Sequence, residues 1–268
     1  MIETCDVAVI GSGIGGLCAA ARLANRGYKT IVVEKMPIVG GRFTSLEDKG
    51  FTITTGAIGI ECGGSLEETY KEVGAEFPVR RSLGPSIRYR ISGRDYALPE
   101  GGGGLRQIIS HAAADRVEAE KVMGAIKRAL TWEPPSQYLT LRGWLSHFTS
   151  NEAVLGIFQG FSSAIFATNA YETPAREYIA FLKSSRFRDY GFPEGGNARV
   201  VESLARTVQK KGGQVWTRTR AKAILVEKGK ATGLVVTRDG EEVQVEAQAV
   251  ISDAGPRQTV AMAGEGNF

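Results

Sequence analysis

Histidine, cysteine and long apolar runs are scarce in this 268-residue chain. Its two histidines, His111 and His147, are too few for a histidine-rich metal site, and no stretch approaches the roughly 20 apolar residues of a membrane span. The three cysteines, Cys5, Cys18 and Cys62, are odd in number and lack metal or redox spacing, which favours reduced thiols in a cytosolic protein. We therefore expect no metal, no transmembrane segment and a cytoplasmic location, while peripheral contact with a membrane stays open.

A large excess of one charge is also missing. The net charge is only +4, and the basic residues are scattered rather than gathered into a stripe, so we expect no nucleic-acid partner. The N-terminus has no basic segment followed by an apolar one, which argues against a secretory signal. The length and the ordinary share of apolar residues suit one large globular domain or two modest ones.

The first forty residues alternate strand and helix chemistry. Apolar runs at residues 7–10 and 30–33 predict two buried parallel strands, and Glu34 ends the second. Between them lies Gly11-Ser12-Gly13-Ile14-Gly15-Gly16, followed by a helix that we expect to stop near Gly27. This order predicts an α/β fold with a Rossmann-like FAD/NAD(P)-binding domain.

Three glycines of this loop have a physical role in that interpretation. Gly11 permits the tight turn, Gly13 lets the backbone approach a pyrophosphate, and Gly16 lets the helix pack close to the strand. The free N–H groups at the helix N-terminus favour phosphate. Glu34 lies where a carboxylate accepts hydrogen bonds from ribose hydroxyls, and it would repel a 2′-phosphate, which argues against NADP. The alternative is an α/β turn that binds no ligand.

A second glycine pair follows soon after the first. Gly40-Gly41-Arg42 resembles the second glycine motif of the FAD-dependent superfamily that contains amine oxidases and phytoene desaturases. The resemblance implies that this loop lies along the pyrophosphate and ribityl chain of FAD. Glycine permits the close backbone approach, and arginine can donate two hydrogen bonds to phosphate oxygens. The alternative is an exposed left-handed turn with a solvated arginine.

The segment at residues 50–57 resembles the one that passes beside the flavin ring in that superfamily. The superfamily usually has an acidic residue two places before the glycine, whereas this chain has Thr54-Thr55-Gly56-Ala57. Backbone contacts to a flavin and a buried strand with no ligand contact are both open here.

The region from residue 190 onward strengthens the resemblance, specifically to the phytoene-desaturase-like branch. It has a P-x-G-G loop, a helix that we expect Asn197 to cap, and a strand ending in Thr219-Arg220. A β-meander over residues 223–245 and a strand at 249–252 with an S-x-A-x-P ending follow. In the family the residue after the T-R pair binds adenine through its main chain, which maps to Ala221.

The resemblance and the motifs together predict one set of cofactor-binding residues. They are Gly11, Ser12, Gly13, Ile14, Gly15, Gly16, Glu34, Lys35, Gly40, Gly41, Arg42, Gly56, Ala57 and Ala221. No residue of the chain is identified as an acid or base catalyst, so the catalytic residues stay unknown.

The resemblance implies three segments and an absent fourth. Residues 1–80 form the first part of the FAD-binding domain, residues 81–190 an inserted hairpin with a helical substrate or cap domain, and residues 191–268 the second part. Family members continue with a substrate segment and a G-D motif that closes over FAD. We therefore expect a second polypeptide or a cleaved C-terminal half to complete the site.

The function implied is that of an FAD-dependent oxidoreductase. Hydride would pass between flavin N5 and a small, apolar substrate whose C–C bonds are desaturated, saturated or isomerised. Amine oxidation on the same fold is one alternative. A non-catalytic binding protein resembling the prenyl-GTPase dissociation inhibitors is another, and an NAD dehydrogenase is disfavoured by the second glycine motif.

Overall fold

The computed structural model describes residues 2–57, 59–82, 88–97, 103–184 and 189–267. The chain divides into two compact units, of which unit 1 comprises Met1–Arg81 and Asp189–Phe268 and unit 2 comprises Ser82–Arg188. Unit 1 carries both glycine motifs. The roles of a cofactor-binding domain and a substrate domain stay predictions for these two units.

The first part of unit 1 begins with a strand, a helix and a second strand, and continues mainly with further strands. Its elements are β1 Ile2–Ile10, α1 Ile14–Asn25, β2 Thr30–Val33, β3 Thr44–Asp48, β4 Phe51–Thr55, β5 Ile60–Cys62, α2 Ser65–Val73 and β6 Val79–Arg81. Unit 2 is a hairpin followed by helices: β7 Arg88–Ile91, β8 Arg94–Ala97, α3 Gly104–Ala112, α4 Arg116–Thr131, α5 Leu141–Leu145, α6 Glu152–Phe166 and α7 Ala175–Ser184. Unit 1 resumes with β9 Asp189–Pro193, α8 Asn197–Lys210, β10 Gln214–Trp216, β11 Thr219–Glu227, β12 Lys230–Arg238, β13 Glu241–Ser252 and α9 Pro256–Ala263.

A six-stranded sheet organises unit 1, in the order β10-β2-β1-β13-β12-β11. The first four strands are parallel, and β12 and β11 add to them as an antiparallel meander. The chain moves from β1 to β2 on one side and reaches β13 on the other, so the strand order reverses at β1. Ligands of open α/β sheets bind at such a reversal, beyond the carboxyl ends of the strands.

The two faces of β1 pack against different partners because successive side chains of a strand point to opposite sides. Val7 and Val9 belong to a core cluster with side chains of α1 and α8, whereas Ala8 and Ile10 belong to a cluster built largely from the meander. The sheet is therefore covered on both faces. This mixed α/β architecture confirms the predicted fold class, with its Rossmann-like parallel strands and meander.

The last strand of the meander, β13, is longer than the sequence predicts. The sequence predicted one strand within residues 242–245 and another at 249–252, but β13 is continuous from Glu241 to Ser252. Its first half pairs with β12, from Gly233 opposite Glu246 onward, and its length pairs with β1 as far as Ile10 opposite Ser252. The polar residues at 246 and 248 break the apolar pattern, although they lie within paired backbone and do not end the strand.

Side-chain caps mark the starts of α4, α5 and α6 in unit 2, whereas α3 begins without one. α4 begins at Arg116 because the Asp115 carboxylate accepts the Glu118 N–H at 2.7 Å. Glu118 in turn accepts the Ala114 N–H at 2.9 Å, which completes a reciprocal cap. A core cluster of its own, which includes the fully buried Tyr178, stabilises this unit.

The buried hydroxyl of Tyr70 allows the packing of unit 1 to be tested. Its ring is fully buried, its hydroxyl donates to the Val200 carbonyl at 2.7 Å, and burial raises its pKa to about 12. Tyr70→Phe removes that hydrogen bond, and we expect it to lower the free energy of unfolding at neutral pH by about 1–2 kcal/mol, measured by urea denaturation. Tyr138→Phe is the matched control, because Tyr138 is 87% exposed and should change by less than about 0.5 kcal/mol.

The raised pKa of Tyr70 also predicts that the free energy of unfolding depends on pH, which the same variant tests. An unfolded tyrosine ionises near pH 10, so between about pH 10 and 12 the unfolded chain releases a proton that folded Tyr70 retains. Stability must therefore fall as the pH rises through this window, by about 2 kcal/mol from this group. We expect the loss to be smaller by that amount in Tyr70→Phe. Equal slopes in the variant and the wild type would contradict the assignment to Tyr70.

Candidate cofactor site

The parallel strands of unit 1 end level with one another. Ile10 of β1 pairs with Val33 of β2 and with Ser252 of β13, and Val33 pairs with Trp216 of β10. The residues that follow these strands therefore meet at one edge of the sheet. Gly11 and Glu34, two of the predicted site residues, begin there.

The first glycine loop makes the turn from β1 into α1. Gly11 has φ +94°, a conformation that a side chain would strain. A Cβ on Gly16 would lie 2.2 Å from the Gly11 carbonyl oxygen, so only glycine allows the helix to approach the end of the strand this closely. α1 starts at Ile14 with Gly13 as its N-cap and no side chain capping it, and Gly15 is exposed. The first turn of α1 therefore has no capping side chain of its own at its N-terminus.

Glu34 lies at the end of β2 and is only 5% exposed. One carboxylate oxygen, Oε2, accepts the backbone N–H of Ser12 at 3.0 Å and its hydroxyl at 2.8 Å. The other, Oε1, accepts the Met36 N–H at 2.9 Å. The glycine loop and the acid predicted to bind ribose are thus directly bonded to each other, and Ser12 is the residue that joins them.

The second glycine motif packs against the first. The Gly40 N–H donates to the Ser12 carbonyl at 2.8 Å, and Gly13 and Gly40 form an isolated parallel bridge. A Cβ on Gly41, which has φ +57°, would lie 3.7 Å from the Gly13 α-carbon. The two glycine motifs therefore form one continuous backbone surface at the sheet edge.

Two basic residues of the predicted set lie on the exposed side of this surface. Lys35 follows Glu34 and Arg42 follows Gly41, and both are exposed to solvent. Within the described residues, no carboxylate forms an ion pair with Arg42. Its guanidinium is available to an anion that reaches the loop.

The predicted flavin-edge segment lies against the second motif. A Cβ on Gly56, which has φ +83°, would lie 2.1 Å from the Arg42 carbonyl oxygen. The hydroxyl of Thr55 donates to the Thr44 carbonyl at 3.0 Å, so it ties β4 to β3. Thr54, where the superfamily has an acid, is half-buried in the same hairpin.

Asn197 holds this segment in place, a role that the sequence did not indicate. The sequence predicted that it caps α8, but Gly196 occupies the N-cap and no side chain caps the helix. The fully buried Asn197 side chain instead donates from Nδ2 to the Ala57 carbonyl at 2.7 Å and to the Thr55 carbonyl at 3.4 Å. A helix-capping residue type at the start of a helix gives no sign of a long-range contact, so sequence reasoning missed it.

Ala221 lies at the other end of the site, in β11. The Thr219 N–H donates to the Glu34 carbonyl at 2.8 Å, and the Glu34 N–H donates to the Trp216 carbonyl at 2.8 Å. β11 therefore starts beside Glu34. The register with β12 shifts between Ala221 and Ala223, which locally interrupts the pairing next to the predicted adenine contact.

All the predicted cofactor residues thus lie on unit 1. Glu34 contacts the first glycine motif, the first motif contacts the second, and the second contacts Gly56. Cofactor binding by these residues stays a prediction. Among the described residues no group of three or more His, Cys, Asp or Glu side chains is placed to hold a metal ion. No helix in the described ranges is both long and apolar enough to span a bilayer.

Unit 1 therefore has a Rossmann-like α/β fold whose two glycine loops are joined by a backbone hydrogen bond. The family model of flavin containing amine oxidoreductases matches residues 14–258, which is most of the chain. This chain belongs to that family.

Individual relatives agree with this assignment. The chain is 26% identical over 284 residues to the chloroplastic prolycopene isomerase of Daucus carota, covering 93% of this chain and 46% of that protein. It is 25% identical over 280 residues to the neurosporene-forming phytoene desaturase of Rhodobacter capsulatus, covering 94% and 52%. The crystal structure of an oxidoreductase from Methanosarcina mazei is similar with a TM-score of 0.81 at 28% identity, covering 99% of this chain and 61% of that one.

The chain spans about half the length of the curated relatives that it matches. The similarity therefore concerns one portion of those proteins. The family is described as flavin containing, and a phytoene desaturase is among the proteins to which the chain is similar.

Two glycines with the same backbone angle test the close contact at the flavin-edge segment. Gly56 and Gly50 both have φ +83°, but a Cβ on Gly56 would meet the Arg42 carbonyl whereas a Cβ on Gly50 meets nothing within 4 Å. We expect Gly50→Ala to lower the free energy of unfolding by about 1 kcal/mol, from the left-handed backbone alone. Gly56→Ala should cost about 1–3 kcal/mol more, because the backbone must move as well. Equal losses in urea denaturation would show that the Arg42 contact is not tight.

Proposed function

We propose that unit 1 binds FAD along the carboxyl edge of its sheet and that the chain is part of an FAD-dependent oxidoreductase. The observation that carries the proposal is the direct joining of two glycine loops and a buried acid, through Gly40 N–H to Ser12 and Ser12 to Glu34. A nicotinamide site has no need of the second loop, whereas a longer dinucleotide needs two backbone surfaces in succession.

The residues fit the group at each of its parts. Gly41 is exposed and has no side chain, so a diphosphate can approach the backbone of the second loop closely. The N-terminus of α1 carries a partial positive charge and free N–H groups that favour phosphate oxygens. The exposed Arg42 can donate two hydrogen bonds to the same oxygens.

Glu34 would accept hydrogen bonds from the ribose hydroxyls, and Ser12 and Met36 hold its carboxylate for that purpose. The main chain near Ala221 would receive the adenine. The backbone of Gly56 and Ala57 would lie beside the flavin, held by Asn197. When bound, the flavin supplies hydride transfer at N5, and the chain's own groups only bind and orient it.

The substrate class follows from the relatives by analogy. A prolycopene isomerase and a phytoene desaturase are among them, so we propose a small apolar substrate whose C–C bonds are desaturated, saturated or isomerised. Amine oxidation is the alternative that the family description favours. A non-catalytic protein of the same fold has no need to retain the Ser12–Glu34–Gly40 arrangement, so we regard it as the weaker candidate.

The relatives are about twice as long as this chain. We propose that a further polypeptide segment, on another chain or from the same precursor, completes the site, and that the protein is cytoplasmic. Copurification and mass spectrometry of the bound polypeptides test the first point.

The cofactor proposal predicts selectivity among flavins. The purified chain, together with any polypeptide that copurifies, should be yellow or become so on reconstitution with FAD. FMN lacks the adenosine that Glu34 and the Ala221 main chain would bind, so it should bind at least about tenfold more weakly in fluorescence titration. NAD should not displace FAD. Equal affinity for FMN and FAD would contradict the adenine end of the site, and binding of NAD alone would contradict the proposal as a whole.

Arg42 has a matched control on the surface of unit 2. Arg42→Gln removes charge-assisted hydrogen bonds to the diphosphate, and we expect it to raise the dissociation constant for FAD about tenfold. Arg116→Gln makes the same change at an exposed position of α4 and should leave the constant unchanged. An unchanged dissociation constant for FAD in Arg42→Gln would show that Arg42 contacts only solvent and not the diphosphate.

A further inference from the structure

An aspartate that the cofactor site does not account for lies inside the first glycine loop. Asp253 is the first residue after β13, and its Oδ2 is 2.2 Å from the position that a Cβ would take on Gly13. Its Oδ1 is 3.1 Å from that position on Gly15, and its Cβ is 3.2 Å from that on Gly16. The carboxylate therefore occupies space that three loop glycines leave open.

The backbone fixes Asp253 at this place. Its N–H donates to the Ile10 carbonyl at 2.8 Å, which extends the pairing of β1 and β13 by one residue. The position is the point where the strand order of the sheet reverses, and therefore the crevice in which such sheets bind ligands.

Electrostatics explains why the Asp253 carboxylate can lie beside the glycine loop without a cation as partner. The first turn of α1 has no acidic residue of its own, and its partial positive charge favours an anion. Within the described ranges no basic side chain forms an ion pair with Asp253. The side chain is exposed at the edge of the sheet, where water also solvates it.

We propose that Asp253 sets the affinity of the glycine loop for diphosphate-containing ligands, by competing with the diphosphate for the N-terminus of α1. The inference rests on the proposed function. A bound diphosphate and the carboxylate would place like charges within a few ångströms of one another, and this repulsion weakens binding even with partial screening by water. The residue thereby keeps the affinity for the cofactor below what the loop alone would give.

Replacement of the charge without change of shape tests this proposal. We expect Asp253→Asn to bind FAD about tenfold more tightly than the wild type at low salt, measured by quenching of flavin fluorescence. ADP should show the same gain in calorimetry, whereas adenosine, which has no phosphate, should show none. The gain should shrink as the salt concentration rises, because salt screens charge repulsion and does not screen a packing effect.

Glu227→Gln is the matched control for the change in net charge. Glu227 is exposed at the far end of β11, roughly 26 Å along the strand from Thr219, and the variant should bind FAD like the wild type. Asp253→Ser, which is smaller, keeps the test valid if the asparagine disturbs the loop, and thermal unfolding of the ligand-free chain reports any such disturbance.

The outcomes separate the inference from the function on which it rests. Wild-type or weaker binding of FAD by both Asp253 variants, or a gain that salt leaves unchanged, overturns the role of Asp253 while the FAD site stands. Equal gains for adenosine and ADP also overturn it. Failure of every variant and of the wild type to bind FAD, in the presence of any companion polypeptide, overturns both.

Discussion

The hydrogen bond from the Gly40 N–H to the Ser12 carbonyl joins the two glycine loops, and the candidate site depends on it. Backbones approach each other this closely only where no side chain intervenes, and Gly13, Gly40 and Gly41 meet that condition. Ser12 then connects the joined loops to Glu34 through both its N–H and its hydroxyl. One residue between two glycines thus fixes the acid, the first loop and the second loop relative to one another.

The contact also determines what lies beyond it. Gly56 packs against the Arg42 carbonyl, and Asn197 binds the Ala57 carbonyl, so each segment of the site rests on the one before. Glycine at these positions makes the unfolded chain more flexible, which costs stability. The surrounding core offsets that cost, since β1 contributes alternate side chains to two clusters on the opposite faces of the sheet. A site made of backbone therefore depends on the rigid sheet beneath it, more than a site lined by side chains would.

Sequence reasoning found those features of the site whose cause is local. The strand at residues 7–10, the helix that stops at Asn25 just before Gly27 and the acid at the end of β2 are set by neighbouring residues, and they are where the patterns predict them. Asn197 was assigned to its own helix because asparagine favours caps, whereas the bond that it makes reaches the Ala57 carbonyl, 140 residues earlier in the chain. The continuity of β13 was missed for a related reason. Two partners, β12 and β1, share that strand, and pairing with them outweighs the polar residues that interrupt its pattern.

Asp253 shows a different limit of the same reasoning. Asp253 occupies the first of the two variable positions of the S-x-A-x-P ending, so the motif assigns it no role. Its place beside the glycine loop follows from the level ends of β1 and β13. The glycines that make the loop accessible to a phosphate make it equally accessible to this carboxylate, because the absence of a Cβ does not select between anions. A loop made of bare backbone lets an anion approach closely, but it lacks the selectivity between anions that side chains would provide. That selectivity has to come from charges around the loop, with Arg42 attracting a diphosphate and Asp253 opposing it.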